Sequence, residues 1–198
     1  MGKNKINFSY ISLAFFILIA FSQSIIPSFY FAAVTIHELG HILAAKLFKI
    51  KIKELKLNAL GIRINTTEKL CSYRDEFLLA AFGPLLNYIS ALLVMIFKIN
   101  NYLPHSDEFV ICSIILGTLN LLPIHSFDGG RMLKCFLLKF TSPNIANHII
   151  NIISFMIITL LWLISVYFLL IYSTSLGIFI FSSSLFFSIF LKNDLTTN

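Results

Sequence analysis

The sequence predicts an all-α polytopic membrane protein: six transmembrane helices with a small membrane-associated β-hairpin between the second and third. Three observations carry that reading. The 198 residues are 58% hydrophobic and only 12% charged, against about 45–50% and about 25% in soluble domains. Apolar runs recur along the whole chain, and a span needs about 20 such residues. One sizeable polar stretch interrupts them, and its apolar residues alternate with period two rather than 3.6. No composition shift marks off a soluble portion, so residues 1–198 read as a single integral-membrane domain.

The first run covers Ser9 to Ile26, behind Lys3 and Lys5. Its length and its poor small-residue exit, "AFSQS", favour an uncleaved span over a signal peptide. The second covers Phe29 to Phe48. The polar stretch follows, with Leu55, Leu57 and Ala59 before Gly61 and with Ile62 and Ile64 after it, the pattern of two short strands about a turn. The third run spans Phe77 to Ile99 and the fourth Phe109 to Pro123, where proline interrupts a helix. The fifth and sixth cover Ile145 to Ile171 and Leu176 to Leu191.

Basic residues orient this bundle. With both termini cytoplasmic, 14 of the 15 Lys and Arg face the cytoplasm and only Lys98 lies outside. The net charge of +6 is therefore spent on topology, and no nucleic-acid partner is needed to account for it. Cys71, Cys112 and Cys135 are scattered without the paired spacing of a metal or redox motif.

The chemistry sits in "HELGH", residues 37–41, inside the second run. Ionisable residues at membrane depth need partners and mark functional sites. Helical positions four apart lie nearly in register, so His37 and His41 can point at one Zn2+ ion. Glu38 is then free to act on a water as general base. A catalytic zinc takes a third protein ligand and keeps one position open. Glu54 and Glu68 lie in the polar loop. Asp128, in "LNLLPIHSFDGGRML", is better placed, after Pro123 and before Gly129 and Gly130, which permit irregular backbone. His125 is the spare candidate.

Taken in order, "HELGH", "GPLLN" (Gly83 to Asn87) and "NLLPIHSFDGG" resemble the site-2 protease family of intramembrane zinc metalloproteases, peptidase family M50. The six-span plan is similar to its sporulation factor IVFB branch. The resemblance covers most of residues 29 to 135. It implies that His37, His41 and Asp128 hold zinc, that Glu38 is the catalytic acid–base, and that the hairpin presents an extended substrate. Ser126 stands where the family usually has proline. The PDZ and nucleotide-sensing additions of some relatives have no counterpart here, so regulation through either is not expected.

Other polar residues invite roles around that centre. Asn120 can steady a carbonyl oxygen or the substrate backbone without adding charge. Leu57 and Ile64 would meet substrate along the hairpin. Asn87, His125 and His148 are candidates to stand behind the ligands. His148 belongs to a stripe with Asn144, Asn147 and Asn151 at helical spacing in the fifth run.

The expected function is hydrolysis of a peptide bond within or beside a transmembrane segment of a membrane-tethered regulator, such as a pro-sigma or anti-sigma factor. The expected surroundings are the cell membrane, crossed several times, and the lipid bilayer; a homo-oligomer or a regulatory membrane partner stays open. The alternative is a non-proteolytic zinc-binding membrane protein, a metal carrier or scaffold. Glu38 discriminates, because a pure metal site has no use for a base that is not a ligand.

Overall fold

The structure is a computed structural model and describes residues 26–50, 52–58, 61–66, 72–100, 104–172 and 176–194. The expected first span, apart from Ile26, lies outside the described residues. The chain divides into two compact units, residues 1–122 and 123–198, and each is taken by itself.

In the first unit, helix α1 runs Ile26–Leu47. Its buried face carries Ala33, His37, Gly40, His41 and Ala44, at steps of three and four, while Leu39 and Leu43 face outward. This inverts the soluble pattern. Small residues let backbones approach, and leucines are left for an apolar solvent. The helix ends in a Schellman motif: Ile50 N–H bonds to the Ala45 carbonyl at 2.8 Å and Lys49 N–H to that of Lys46 at 3.3 Å. Lys49 takes the left-handed conformation, φ 54°, where glycine is usual. Ile50 packs on Ala44, Ala45 and Leu79, supplying the motif's apolar contact.

Strands β1 (Ile52–Asn58) and β2 (Gly61–Thr66) pair antiparallel, with Leu57 opposite Ile62 and Leu55 opposite Ile64. Gly61 opens β2 rather than standing outside it. Helix α2 (Tyr73–Asn100) follows, and it starts earlier than the apolar run because Ser72 caps it: the Ser72 carbonyl accepts from Asp75 and Glu76 N–H. Helix α3 (Ser106–Leu121) begins behind a Lys98–Asp107 ion pair and a His105–Glu108 contact.

Helices α1, α2 and α3 pack on one another, and glycines set how closely. A Cβ on Gly40 would stand 2.4 Å from the Phe82 carbonyl oxygen, so α1 touches the main chain of α2 there. Gly117 of α3 faces Tyr88 and Asn87 of α2 with a little more room, 3.3 Å to the nearest atom.

In the second unit, Pro123 to Phe127 are non-helical and lead into α4 (Asp128–Leu137). Here the structure departs from the expectation of irregular backbone after Asp128: Gly129 and Gly130 lie in the first turn of α4. The reason is packing, since a Cβ on Gly130 would stand 2.1 Å from the Ile124 carbonyl oxygen. No apolar run announced α4, which is too short and too polar to span.

Helix α5 (Pro143–Tyr172) starts with proline where an N–H is dispensable. It pairs with α6 (Leu176–Asp194) through a polar seam. Ser165 and Ser182 hydroxyls meet at 2.7 Å, and Trp162 Nε1 donates to Ser183 Oγ at 3.2 Å. Hydroxyls are small enough for close packing and hold helices where hydrocarbon offers no hydrophobic drive.

Two helical stretches, Tyr73–Lys98 and Pro143–Ile171, are long and apolar enough to cross a membrane. They expose large apolar side chains, including Leu92 and Phe97 on α2 and Leu160 and Leu170 on α5. Apolar surface on this scale marks contact with lipid or a partner.

Candidate metal centre

His37 and His41 meet edge to face on the buried side of α1, with ring planes at 88°. Their Nε2 atoms are 3.2 Å apart. His41 donates its Nδ1–H to the carbonyl oxygen of Leu79, 2.8 Å away on α2. A carbonyl only accepts, so the neutral imidazole keeps its proton on Nδ1 and its lone pair on Nε2. A hydrogen bond to the far ring nitrogen is how proteins fix metal-binding histidines. Pro84 lies inside α2 and has no N–H to offer the Ala80 carbonyl, the one next to that of Leu79.

Gly83 makes the room. A Cβ there would lie 2.5 Å from His41 Cε1, 2.6 Å from His41 Nε2 and 2.8 Å from His37 Nε2. Both imidazoles therefore rest on the bare backbone of α2. Four residues on, Asn87 is fully buried and its Nδ2 lies 3.4 Å from His37 Nδ1. Glu38 is buried as well, one residue and about 100° around α1 from His37.

The donor pair suits zinc. Two nitrogens, each about 2.05 Å from a tetrahedral zinc, lie about 3.3 Å apart, and the imidazole nitrogens stand at 3.2 Å.

In the second unit Asp128 is buried at the first position of α4. Arg131 stands 3.7 Å from its carboxylate, and the helix N-terminus adds partial positive charge beside it. The break before it is tied down by His125 N–H donating to Ser154 Oγ at 2.8 Å, and the His125 side chain itself is exposed.

The remaining candidates are placed as follows. Asn120 donates Nδ2–H to the Leu116 carbonyl of its own helix at 3.0 Å, which engages one of its amide hydrogens. Leu57 and Ile64 lie within the two strands. His148 is exposed, as are Asn144 and Asn151. The sequence reading had no role for Gly83 or Leu79. A glycine in a span is a weak signal by itself, and a main-chain carbonyl leaves none.

The description "Peptidase family M50" matches residues 107–164, the stretch that includes Asp128. A zinc metalloprotease of Methanocaldococcus jannaschii is 32% identical over 114 residues, 55% of this chain and 33% of that protein. The YydH protein of Bacillus subtilis strain 168 is 32% identical over 124 residues, 57% of this chain and 48% of its own length. The matches thus span a third to a half of these relatives. The fold is that of a site-2 protease from M. jannaschii, with a TM-score of 0.66 and 24% identity across 93% of this chain and 88% of that one. Fold, family match over residues 107–164 and the motifs in order agree, and each makes the chain similar to the zinc metalloproteases of peptidase family M50 and to the site-2 protease fold.

Proposed function

We propose that the chain is an intramembrane zinc metalloprotease that hydrolyses a peptide bond within or beside a transmembrane segment of a membrane-tethered protein. The observation that carries this is the His37–His41 pair: two ring nitrogens at zinc-ligand separation, one with its lone pair set by the Leu79 carbonyl, beside a buried glutamate. In this reading the two compact units work as one domain, and Asp128 joins His37 and His41 as third ligand. Its burial and its Arg131 neighbour support that choice over the exposed His125. Bound zinc supplies Lewis acidity, polarising water and the scissile carbonyl.

The chain's own residues do the rest. Glu38, one residue from a ligand, takes the water's proton and passes it to the leaving amine. Asn120 keeps one amide hydrogen and its Oδ1 for a carbonyl or the substrate backbone. The β1–β2 hairpin lies at the membrane, where it pairs with an unwound substrate by strand addition and Leu57 and Ile64 contact it. His125 and His148 stand at the margin of the site.

The same reading gives six spans with both termini in the cytoplasm. Cleavage near that face releases a cytoplasmic regulator, a pro-sigma or anti-sigma factor if the chain follows the sporulation factor IVFB branch. Any homo-oligomer or regulatory membrane partner acts on this site from outside it.

The test is co-expression with tethered candidate substrates. Wild type should cleave, Glu38→Gln should keep its zinc and lose cleavage by at least about a hundredfold, and His41→Ala should lose both. A Glu38→Gln variant as zinc-poor as His41→Ala would make Glu38 a ligand and overturn the assignment. Zinc retention with no cleavage of any tethered protein would favour the metal-carrier alternative.

A further inference from the structure

The amide of Asn87 faces the Nδ1 edge of His37, as the Leu79 carbonyl faces the Nδ1 edge of His41. His41 has its tautomer set by Leu79. His37 instead presents Nδ1 to Asn87, 3.4 Å from Nδ2, and Nε2 to His41. With Nδ2 as donor, His37 Nδ1 accepts and the His37 proton sits on Nε2, where it can be donated to the His41 lone pair. That directed chain is self-consistent, and it is incompatible with His37 Nε2 acting as a ligand. A ligating His37 must carry its proton on Nδ1, and the group facing Nδ1 must then be an acceptor.

Asn87 contains that acceptor. Its Oδ1 is buried and has no other hydrogen-bond partner among the described residues. Turning the amide about its Cβ–Cγ bond exchanges the two edges without moving the backbone. We infer that Asn87 is the positioning residue for His37: it presents Oδ1 to the Nδ1–H and so commits the Nε2 lone pair to the metal.

The residue type fits the task. A carbonyl oxygen on a short side chain accepts the proton without adding to the buried charge of Glu38, one residue from His37, which a carboxylate would do. A leucine of similar size fills the space and accepts nothing. The segment "GPLLN" thereby serves the metal centre twice, since Gly83 admits both rings and Asn87, one turn further along α2, orients the first of them.

This inference rests on the zinc reading above, and the experiment separates the two. Co(II) is titrated into detergent-solubilised full-length chain and followed by its ligand-field absorption, for wild type, Asn87→Leu and Asn87→Asp. The expected result is an affinity about 10- to 100-fold weaker for Asn87→Leu and restored to within about threefold of wild type by Asn87→Asp, which offers an acceptor at the same place. Equal loss in both variants, or no loss in Asn87→Leu, overturns the inference.

A measurement on the zinc-loaded wild-type chain does not depend on any variant folding. Its imidazole 15N spectrum should contain two histidines bound through Nε2 with Nδ1 protonated, and a His37 bound through Nδ1 overturns the inference outright. A wild-type chain that binds no Co(II) overturns the zinc reading, and this inference with it.

Discussion

His41 and Leu79 share a hydrogen bond that joins the chemistry of one helix to the main chain of the next. The acceptor is a carbonyl oxygen, 2.8 Å from Nδ1, so no change of the Leu79 side chain removes it directly. The variants that probe the centre must therefore act on its shape, its supports or its surroundings.

Shape is tested at Gly83. Alanine there places a methyl 2.5 to 2.8 Å from atoms of both imidazoles, closer than carbon or nitrogen can approach, so the rings must move. Zinc affinity should fall by at least about tenfold, as it does when ligand orientation is lost. Gly177→Ala is the control, since its methyl meets nothing within 4 Å and should leave zinc content unchanged. Equal zinc in both variants would contradict the packing described at Gly83.

Lys49 offers a stabilising change outside the site. A non-glycine residue at φ 54° costs roughly 1 kcal/mol relative to glycine in the left-handed region. Lys49→Gly should raise stability by up to about 1 kcal/mol, partly offset by the entropy glycine adds to the unfolded chain. Denaturant unfolding in detergent measures it. A destabilised variant would mean that the lysine side chain contributes more than its backbone costs.

The hairpin is tested by removing main-chain donors. Proline at Leu57 or Ile64 deletes an N–H from the strands. Cleavage of a tethered substrate should fall while zinc content stays at the wild-type level. Full activity in both variants would leave the loop as a lipid anchor alone.

Orientation is tested by cysteine labelling with an impermeant reagent, in a chain whose native cysteines are replaced. Ser106 is buried, so the outer probe belongs at exposed Pro104 and the inner one at exposed Lys139. In intact cells Pro104→Cys should label and Lys139→Cys should not. The reverse pattern would invert the membrane and move the released product to the other side.

How much of this the sequence reveals depends on whether the determining contact is local. The pairing of His37 with His41 is a matter of helical repeat, and it is legible at once. The end of α1 is less so, because the residue in the left-handed turn is Lys49 and the usual glycine signal is missing. Helix α4 is hidden for the opposite reason. Gly129 and Gly130 each weaken a helix by about 1 kcal/mol, which argues against one, yet Gly130 must be bare to lie against the Ile124 carbonyl. The roles of Leu79 and Gly83 toward the two histidines arise only when α1 and α2 are side by side, and no spacing along the chain announces them.

The bare face of Gly83 also has a genetic consequence. In a screen scored by reporter release, position 83 should behave like a position that carries a reactive group, although its contribution is a hydrogen atom. It should differ in its suppressors. A bulky residue elsewhere is commonly rescued by trimming whatever faces it, but here the facing groups are the imidazoles of His37 and His41, which cannot shrink and still serve. Lesions at Gly83 should therefore be free of intragenic revertants at the contacting positions, and true reversion to glycine should dominate any recovered population.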